Sequence, residues 1–333
     1  MKYRSLGRTG VKVSPLCLGC MMWSRMTDPE EAYKIIDHAI YKGINFIDTA
    51  NVYGRGRSEE ITGEVLSENG MRDKVILATK VHGRMREGDP NAHGNTRRHI
   101  IEQCEASLRR LKTDYIDLYQ IHRPQSDVPI DETLRALDDL IRTGKVRYIG
   151  TSTFAAWQIV ESLWAADKLR LNRFVCEQPP YNLLERSIER ELLPMARTYG
   201  LGIMPWGPLS GGILTGKYKR GDEPPPESRL YRNERLRERL TDKVFDVLEQ
   251  LEALAQEKEC TLSQLALAWN MHQPGVTGPI IGPRTFEQLE DNLKALEVKI
   301  TDEDTISINK IVPPKESIVG YPQADWGPHK YRW

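Results

Sequence analysis

No run of apolar residues in this 333-residue chain approaches the length needed to cross a bilayer as a helix. The opening Met1-Lys-Tyr-Arg-Ser lacks the apolar stretch of a secretory signal. Net charge is missing too: Lys plus Arg and Asp plus Glu both number 47. No overall field therefore draws in nucleic acid or an anionic membrane surface. Cysteine is sparse, with five residues at 17, 20, 104, 176 and 260. In a chain without an export signal these read as reduced thiols, and the expected setting is cytoplasmic. Cys17 and Cys20 form a C-x-x-C, but without a second pair or an adjacent histidine they read as buried thiols, and no metal is expected. A dinucleotide-binding glycine fingerprint is also lacking, because Gly54-Arg-Gly56 continues to Glu59 where a third glycine is required.

What is present is alternation. Residues 2–6 and 11–13 flank Gly7-Arg-Thr-Gly10, the pattern of a β-hairpin. Short apolar strands are then predicted at 15–19, 44–47, 75–80, 115–122, 146–152, 174–178, 202–206 and 278–281. Amphipathic helices separate them: one opening at a capping Thr27 with Pro29 behind it, then 58–69, one capped by Thr96, 131–143, 155–166, 184–199 and 285–295. Eight strands alternating with helices predict a (β/α)8 TIM barrel formed by residues 1–333 as a single domain. Outside the repeat lie a long loop at 207–239, an extra helix near 241–258 followed by one at 262–270, and a tail from 313 that is too rich in proline and glycine for a helix.

Parallel strands in a barrel bring their C-terminal ends to one face. Asp48, Lys80 and His122 stand at three successive strand ends, with Tyr53 in the first connecting loop. Taken singly, an aspartate after a strand is a turn or helix cap, a lysine there is solvated, and a lone Tyr or His is packing. Converging at one mouth, they make a chemical site.

In residue type, order and strand context these four resemble the aldo-keto reductase family, and the resemblance runs over almost the whole chain, from residues 43–53 to 281–292. It implies reduction of an aldehyde or ketone by hydride transfer, or the reverse oxidation of an alcohol, with a small-molecule partner. In that chemistry Tyr53 supplies the proton, Lys80 lowers the phenol's pKa, Asp48 holds the lysine charged and aimed, and His122 orients the carbonyl. The resemblance also implies a nicotinamide dinucleotide lying across the barrel mouth. Ser152 and Gln178 would hold its carboxamide and Trp206 would stack on the ring. The family has Asn after that serine where this chain has Thr153. The stretch Gly207, Pro208, Leu209, Ser210 with Lys217 would cover the pyrophosphate. Gly282, Arg284, Gln288 and Asn292 would meet the adenosine end, where an arginine at a helix N-terminus suits the 2′-phosphate of NADP.

Two other classes compete. Potassium-channel β-subunits share the fold and would make the chain a cofactor-binding regulatory subunit, but they carry Asn where this chain has His122. A glycoside hydrolase needs two facing acids about 5–9.5 Å apart, and Glu177, next to Gln178, should point away from Asp48. The tail carries Tyr321, Trp326, Tyr331 and Trp333, too aromatic for solvated coil. It is expected to pack on the barrel, either folding residues 320–333 towards the catalytic rim as a pocket wall, or covering the side, the bottom or a subunit contact. A homo-oligomer is compatible with the sequence.

Overall fold

The computed structural model describes every residue except Ser24, Pro322, Gln323 and 331–333, and only the main chain of Arg235. An antiparallel hairpin, β1 (Arg4–Ser5) and β2 (Lys12–Val13), precedes eight parallel strands. These are β3 (Cys17–Gly19), β4 (Phe46–Asp48), β5 (Ile76–Val81), β6 (Ile116–Ile121), β7 (Val146–Ser152), β8 (Cys176–Gln178), β9 (Gly202–Ile203) and β10 (Ile280–Ile281). Neighbours follow chain order from β3 to β9, and β10 returns to pair with β3. Thr277 N–H donates to Ile203 O and Ile280 N–H to Pro205 O, both at 2.8 Å, so the sheet closes on itself. The fold is the (β/α)8 barrel that the alternation predicts.

Helices α1 (Pro29–Tyr41), α2 (Arg57–Glu68), α3 (Arg97–Arg110), α4 (Ile130–Arg142), α5 (Ala156–Leu169) and α6 (Leu192–Tyr199) follow β3 to β8 in turn. After β9 come α7 (Glu234–Arg237), α8 (Asp242–Glu257) and α9 (Leu262–His272), and after β10 come α10 (Phe286–Lys294) and α11 (Asp302–Ile311). Among the described residues no helix is long and apolar enough to cross a membrane.

Three local expectations are corrected. Asp28, not Thr27, caps α1, accepting from Glu31 N–H at 2.8 Å, while Thr27 donates to Arg284 O at 3.1 Å, past the end of the neighbouring strand β10. The helix predicted over 184–199 is shorter. Asn182 and Glu185 exchange main-chain hydrogen bonds in a tight turn, and Arg186 is buried, donating to Val312 O at 2.6 Å and pairing with Glu189 at 2.7 Å. Their side-chain bonds fix irregular backbone where the apolar spacing alone reads as helix. Helix α11 was not anticipated, although Thr301 and Asp304 form its capping box.

The barrel interior is built in storeys, because side chains along a strand alternate between two faces. Cys17, Phe46, Ala78, Leu118, Cys176 and Met204 form an apolar storey, sealed below by Leu6 and Val13 from the hairpin. Gly7, at the hairpin turn, has φ +56°, and a Cβ there would lie 2.6 Å from Gly202 N and Val175 O. Only glycine lets the hairpin sit this close. Two residues further along the strands the interior turns polar: Asp48 follows Phe46, Lys80 follows Ala78, Gln120 follows Leu118 and Gln178 follows Cys176. All four are buried. The odd-numbered Ile47, Leu77, Tyr119 and Ile149 face outward, into the larger core shared with the helices.

Candidate active site

Buried charge is tolerable only when paired and hydrogen-bonded, and this polar storey meets that condition. The Lys80 ammonium donates to Asp48 Oδ1, to Thr49 O at 2.9 Å and to Tyr53 Oη at 3.4 Å. Its three protons thus have three acceptors. The second Asp48 oxygen accepts from Gln120 Nε2 at 3.1 Å and Gln178 Nε2 at 3.0 Å, and Gln178 Nε2 also reaches Gln120 Oε1 at 3.2 Å. Gln120 was not singled out from the sequence. Its signal was its place two residues before His122, on the same strand face.

Tyr53 begins a short 3-10 turn, Tyr53–Gly56, that carries it over the mouth. Its ring meets His122 edge-on, with centroids 5.6 Å apart. The four residues that the sequence brings forward are therefore one cluster. Burial alone would pull Lys80 down, but Asp48 and Tyr53 outweigh it and the ammonium stays above its ordinary value. Tyr53 departs from expectation. Burial pushes the phenol up by more than the Lys80 charge pulls it down, so its net position is above the ordinary 10. The group is a phenol, not a phenolate, through the neutral range. His122 is held well below its usual value by burial, then by Lys80 and Arg123. At neutral pH it is an uncharged imidazole, able to donate one N–H. Together these groups can give a proton to an oxygen at the mouth and retain the charge left behind.

Ser152 and Gln178 stand side by side at their strand ends, with Ser152 Oγ donating to Gln178 O at 2.9 Å. Gln178 has its NH2 committed to Asp48 and Gln120, which leaves its Oε1 for a ligand. Thr153 follows at φ 62°, a left-handed conformation that costs a β-branched residue roughly 1–2 kcal/mol. Trp206 forms a bridge with Pro180 just past β9. Beyond it the loop is threaded with left-handed residues, Gly207, Ser210, Gly211, Gly212 and Gly216.

The donors beyond β9 and β10 fit an anionic dinucleotide. Ser210 Oγ is buried with no hydrogen-bond partner. Lys217 makes no ion pair among the described residues, and its pKa is lowered by burial and then by the neighbouring Arg284. Arg284 meets no carboxylate either, donating to Glu227 O at 3.1 Å. Neither cation is ion-paired among the described residues, and with only the Glu227 charge partly offsetting them at Lys217 they favour an anion. Arg229, missed in the sequence, brings Nη1 to 4.0 Å from where a Cβ on Gly211 would stand. A Cβ on Gly282 would meet nothing within 4 Å, so that surface is open. Gln288 is less free than its position implied, since its Oε1 accepts from Arg284 N–H at 2.9 Å. Asn292, one turn on, is mostly buried.

The tail crosses this face. Tyr321 lies edge-on to Trp206 with centroids 4.6 Å apart, and its hydroxyl stands 2.8 Å from where a Cβ on Gly207 would be. Asp325 accepts from Ser126 N–H at 2.6 Å, and Trp326 Nε1 donates to Thr153 O at 2.8 Å. The aromatic tail thus packs at the rim, while Tyr331 and Trp333 lie outside the described residues. Glu177 turns away from the interior, as its odd position requires, and its Oε1 accepts from Phe154 N–H at 3.1 Å. Cys17 and Cys20 are free, buried thiols on opposite faces of the strand end.

Residues 15–313 match the model of the aldo/keto reductase family. The chain is 42% identical over 326 residues to an uncharacterized oxidoreductase of Bacillus subtilis, covering 94% of this chain and 96% of that protein. It is 40% identical over 305 residues to a probable voltage-gated potassium channel subunit beta of Arabidopsis thaliana, with 90% and 92% covered. To the versiconal hemiacetal acetate reductase of Aspergillus parasiticus it is 34% identical over 346 positions, with 95% and 98% covered.

Proposed function

The chain belongs to the aldo/keto reductase family of oxidoreductases, and from that premise we propose that it reduces an aldehyde or ketone with NADPH, Tyr53 giving the proton. The observation that carries this is the Lys80 ammonium, fully buried and shared between Asp48, Thr49 O and the Tyr53 hydroxyl. When bound, the nicotinamide dinucleotide supplies the hydride. The protein's part is to place the carbonyl and manage the proton. His122 donates its N–H to the carbonyl oxygen and aims it at Tyr53. As the oxygen gains negative charge, the phenol proton moves to it along one hydrogen bond. The phenolate left on Tyr53 is held by Lys80 at 3.4 Å. Asp48 keeps the ammonium in line, and the two glutamines keep Asp48 in line. Such preorganised charge needs no rearrangement at the moment of reaction.

The residues for the cofactor are Ser152 and Gln178 Oε1 for a carboxamide, Trp206 for the ring, residues 207–210 with Lys217 for the pyrophosphate, and Gly282, Arg284 and Gln288 for the adenosine end. Arg284 beside Lys217, neither in an ion pair among the described residues, supports NADPH over NADH, because the extra phosphate brings an anion to both. The test is absorbance at the reduced-nicotinamide band with a panel of aldehydes, ketones and oxidised sugars. Consumption of NADPH with any of them supports the reading. Tight NADPH binding with no turnover on the whole panel would refute it, and would favour a binding subunit instead.

A further inference from the structure

The cations assigned to the cofactor arise beyond β9 and β10. Across the barrel from β10, at the mouth end of β6, stands another. Arg123 follows His122 directly, and its carbonyl is pinned by Asn95 Nδ2 at 2.9 Å. Its guanidinium lies over the Trp206 ring, 5.8 Å from the centroid. The residue is half-buried, yet among the described residues its side chain makes no ion pair and no hydrogen bond. None of its nitrogens is sealed off from solvent without a partner, so they open into the mouth. Arg72, comparably shielded elsewhere, behaves as shielded arginines do, meeting Asp117 at 2.9 Å.

Neither nearby acid forms an ion pair with Arg123, although the Glu177 charge is felt there. Glu177 faces outward on Phe154 N–H, and Asp325 of the tail is taken by Ser126 N–H. The Arg123 charge is nevertheless felt at Tyr53 and at His122, so it stands within electrostatic reach of the atoms that would handle the carbonyl. A guanidinium placed there without an anion of its own is a receptor for one brought by the ligand. The cofactor's own phosphates are served by Lys217, Arg284 and Arg229 from β9 and β10. In the strand order β6 lies four places from β10, on the opposite wall.

We infer that the carbonyl substrate carries an anionic group, a carboxylate or a phosphate monoester, which pairs with Arg123 while its carbonyl oxygen lies at Tyr53 and His122. The inference rests on the carbonyl-reductase reading above and adds the charge of the substrate to it. The Trp206 ring, 5.8 Å from the guanidinium, gives Arg123 a cation–π contact that leaves its N–H groups unpaired.

The experiment compares matched pairs with NADPH: 4-oxobutanoate against methyl 4-oxobutanoate, and glyceraldehyde 3-phosphate against glyceraldehyde. The charged member of at least one pair is expected to have a kcat/KM at least roughly ten-fold higher, as a charge-assisted contact implies. Which pair shows the preference tells carboxylate from phosphate. Arg123→Gln should collapse that ratio towards one, and Arg123→Lys should keep part of it. Parity in both pairs, or reduction of the neutral members only, overturns the inference. So does an Arg123→Gln variant that loses NADPH affinity as severely as it loses the charged substrate, since Arg123 would then be a cofactor contact. If no carbonyl of either charge is reduced, the reductase reading itself fails. The anion site is then decided by calorimetric titration of NADP-loaded protein with 4-oxobutanoate and, separately, with glyceraldehyde 3-phosphate. Saturable binding of either that Arg123→Gln removes supports the site, and the absence of both overturns it.

Discussion

Glu177→Gln should make the protein more stable, and increasingly so as pH rises. The carboxyl is fully buried, with Oε1 bonded to Phe154 N–H at 3.1 Å and Oε2 without a partner. Burial pushes its pKa from the ordinary 4.5 up to about 8, against the smaller opposing effect of its hydrogen bonds. The folded chain therefore keeps a proton that the unfolded chain releases. Stability from this group is fully present below 4.5 and is lost as pH rises to and through about 8. Each pH unit in that interval is worth about 1.4 kcal/mol. Between pH 5.5 and pH 8 the parent should lose about 3 kcal/mol that the variant does not. Glutamine has the shape of the protonated acid, keeps the acceptor for Phe154 N–H and carries no titratable charge. Urea unfolding of both proteins at several pH values isolates the effect, because every other titrating group is shared. A gap between the two that stays constant from pH 5.5 to 8 would refute the reasoning.

Other outcomes follow from the same geometry. Arg284→Ala should raise the dissociation constant of NADPH by roughly 10- to 100-fold, as loss of a charge-assisted bond implies, with little change for NADH; titration of both cofactors checks it, and equal losses would give Arg284 a structural role. Truncation after Val319 removes Tyr321 from Trp206 and cuts the ties at Ser126 and Thr153, so KM and substrate preference should change; unchanged kinetics on every substrate would exclude the tail as a pocket wall. Because Tyr53 is pushed above 10, kcat/KM for reduction should stay level through neutral pH and fall only on the alkaline side of 10, as the acid is lost; a fall centred near pH 7 would contradict that assignment.

The strands were legible because the barrel buries both faces of each, leaving short apolar runs between helices that alternate with them. The polar storey was partly legible. Asp48, Lys80 and His122 interrupt apolar runs, whereas Gln120 sits one step inside such a run and carries no charge to mark it. Arg123, next to His122, carries no mark of its own, since nothing in a sequence tells a paired arginine from an unpaired one. The 184–199 segment has helical spacing, but Asn182 and Arg186 bind distant main chain and Glu185 binds the Ser317 hydroxyl, bonds that exist only once the fold is made. The direction of the Tyr53 shift was misjudged for a related reason. Lysine proximity could be anticipated from strand order, while the depth of burial that outweighs it could not. The strain at Thr153 becomes intelligible only with Trp326 hydrogen-bonded to its carbonyl, a contact across 173 positions.

The central claim is that the Tyr53 hydroxyl gives its proton to the substrate. The most direct measurement is Tyr53→Phe, with NADPH affinity followed by fluorescence and reduction by single-turnover absorbance on a substrate the parent reduces. The variant should bind NADPH within about threefold of the parent, since only a hydroxyl is lost and proton transfer alone accounts for roughly a hundred- to ten-thousand-fold of rate. Reduction should fall by at least that factor. Turnover at the parent's rate with NADPH bound would contradict the account.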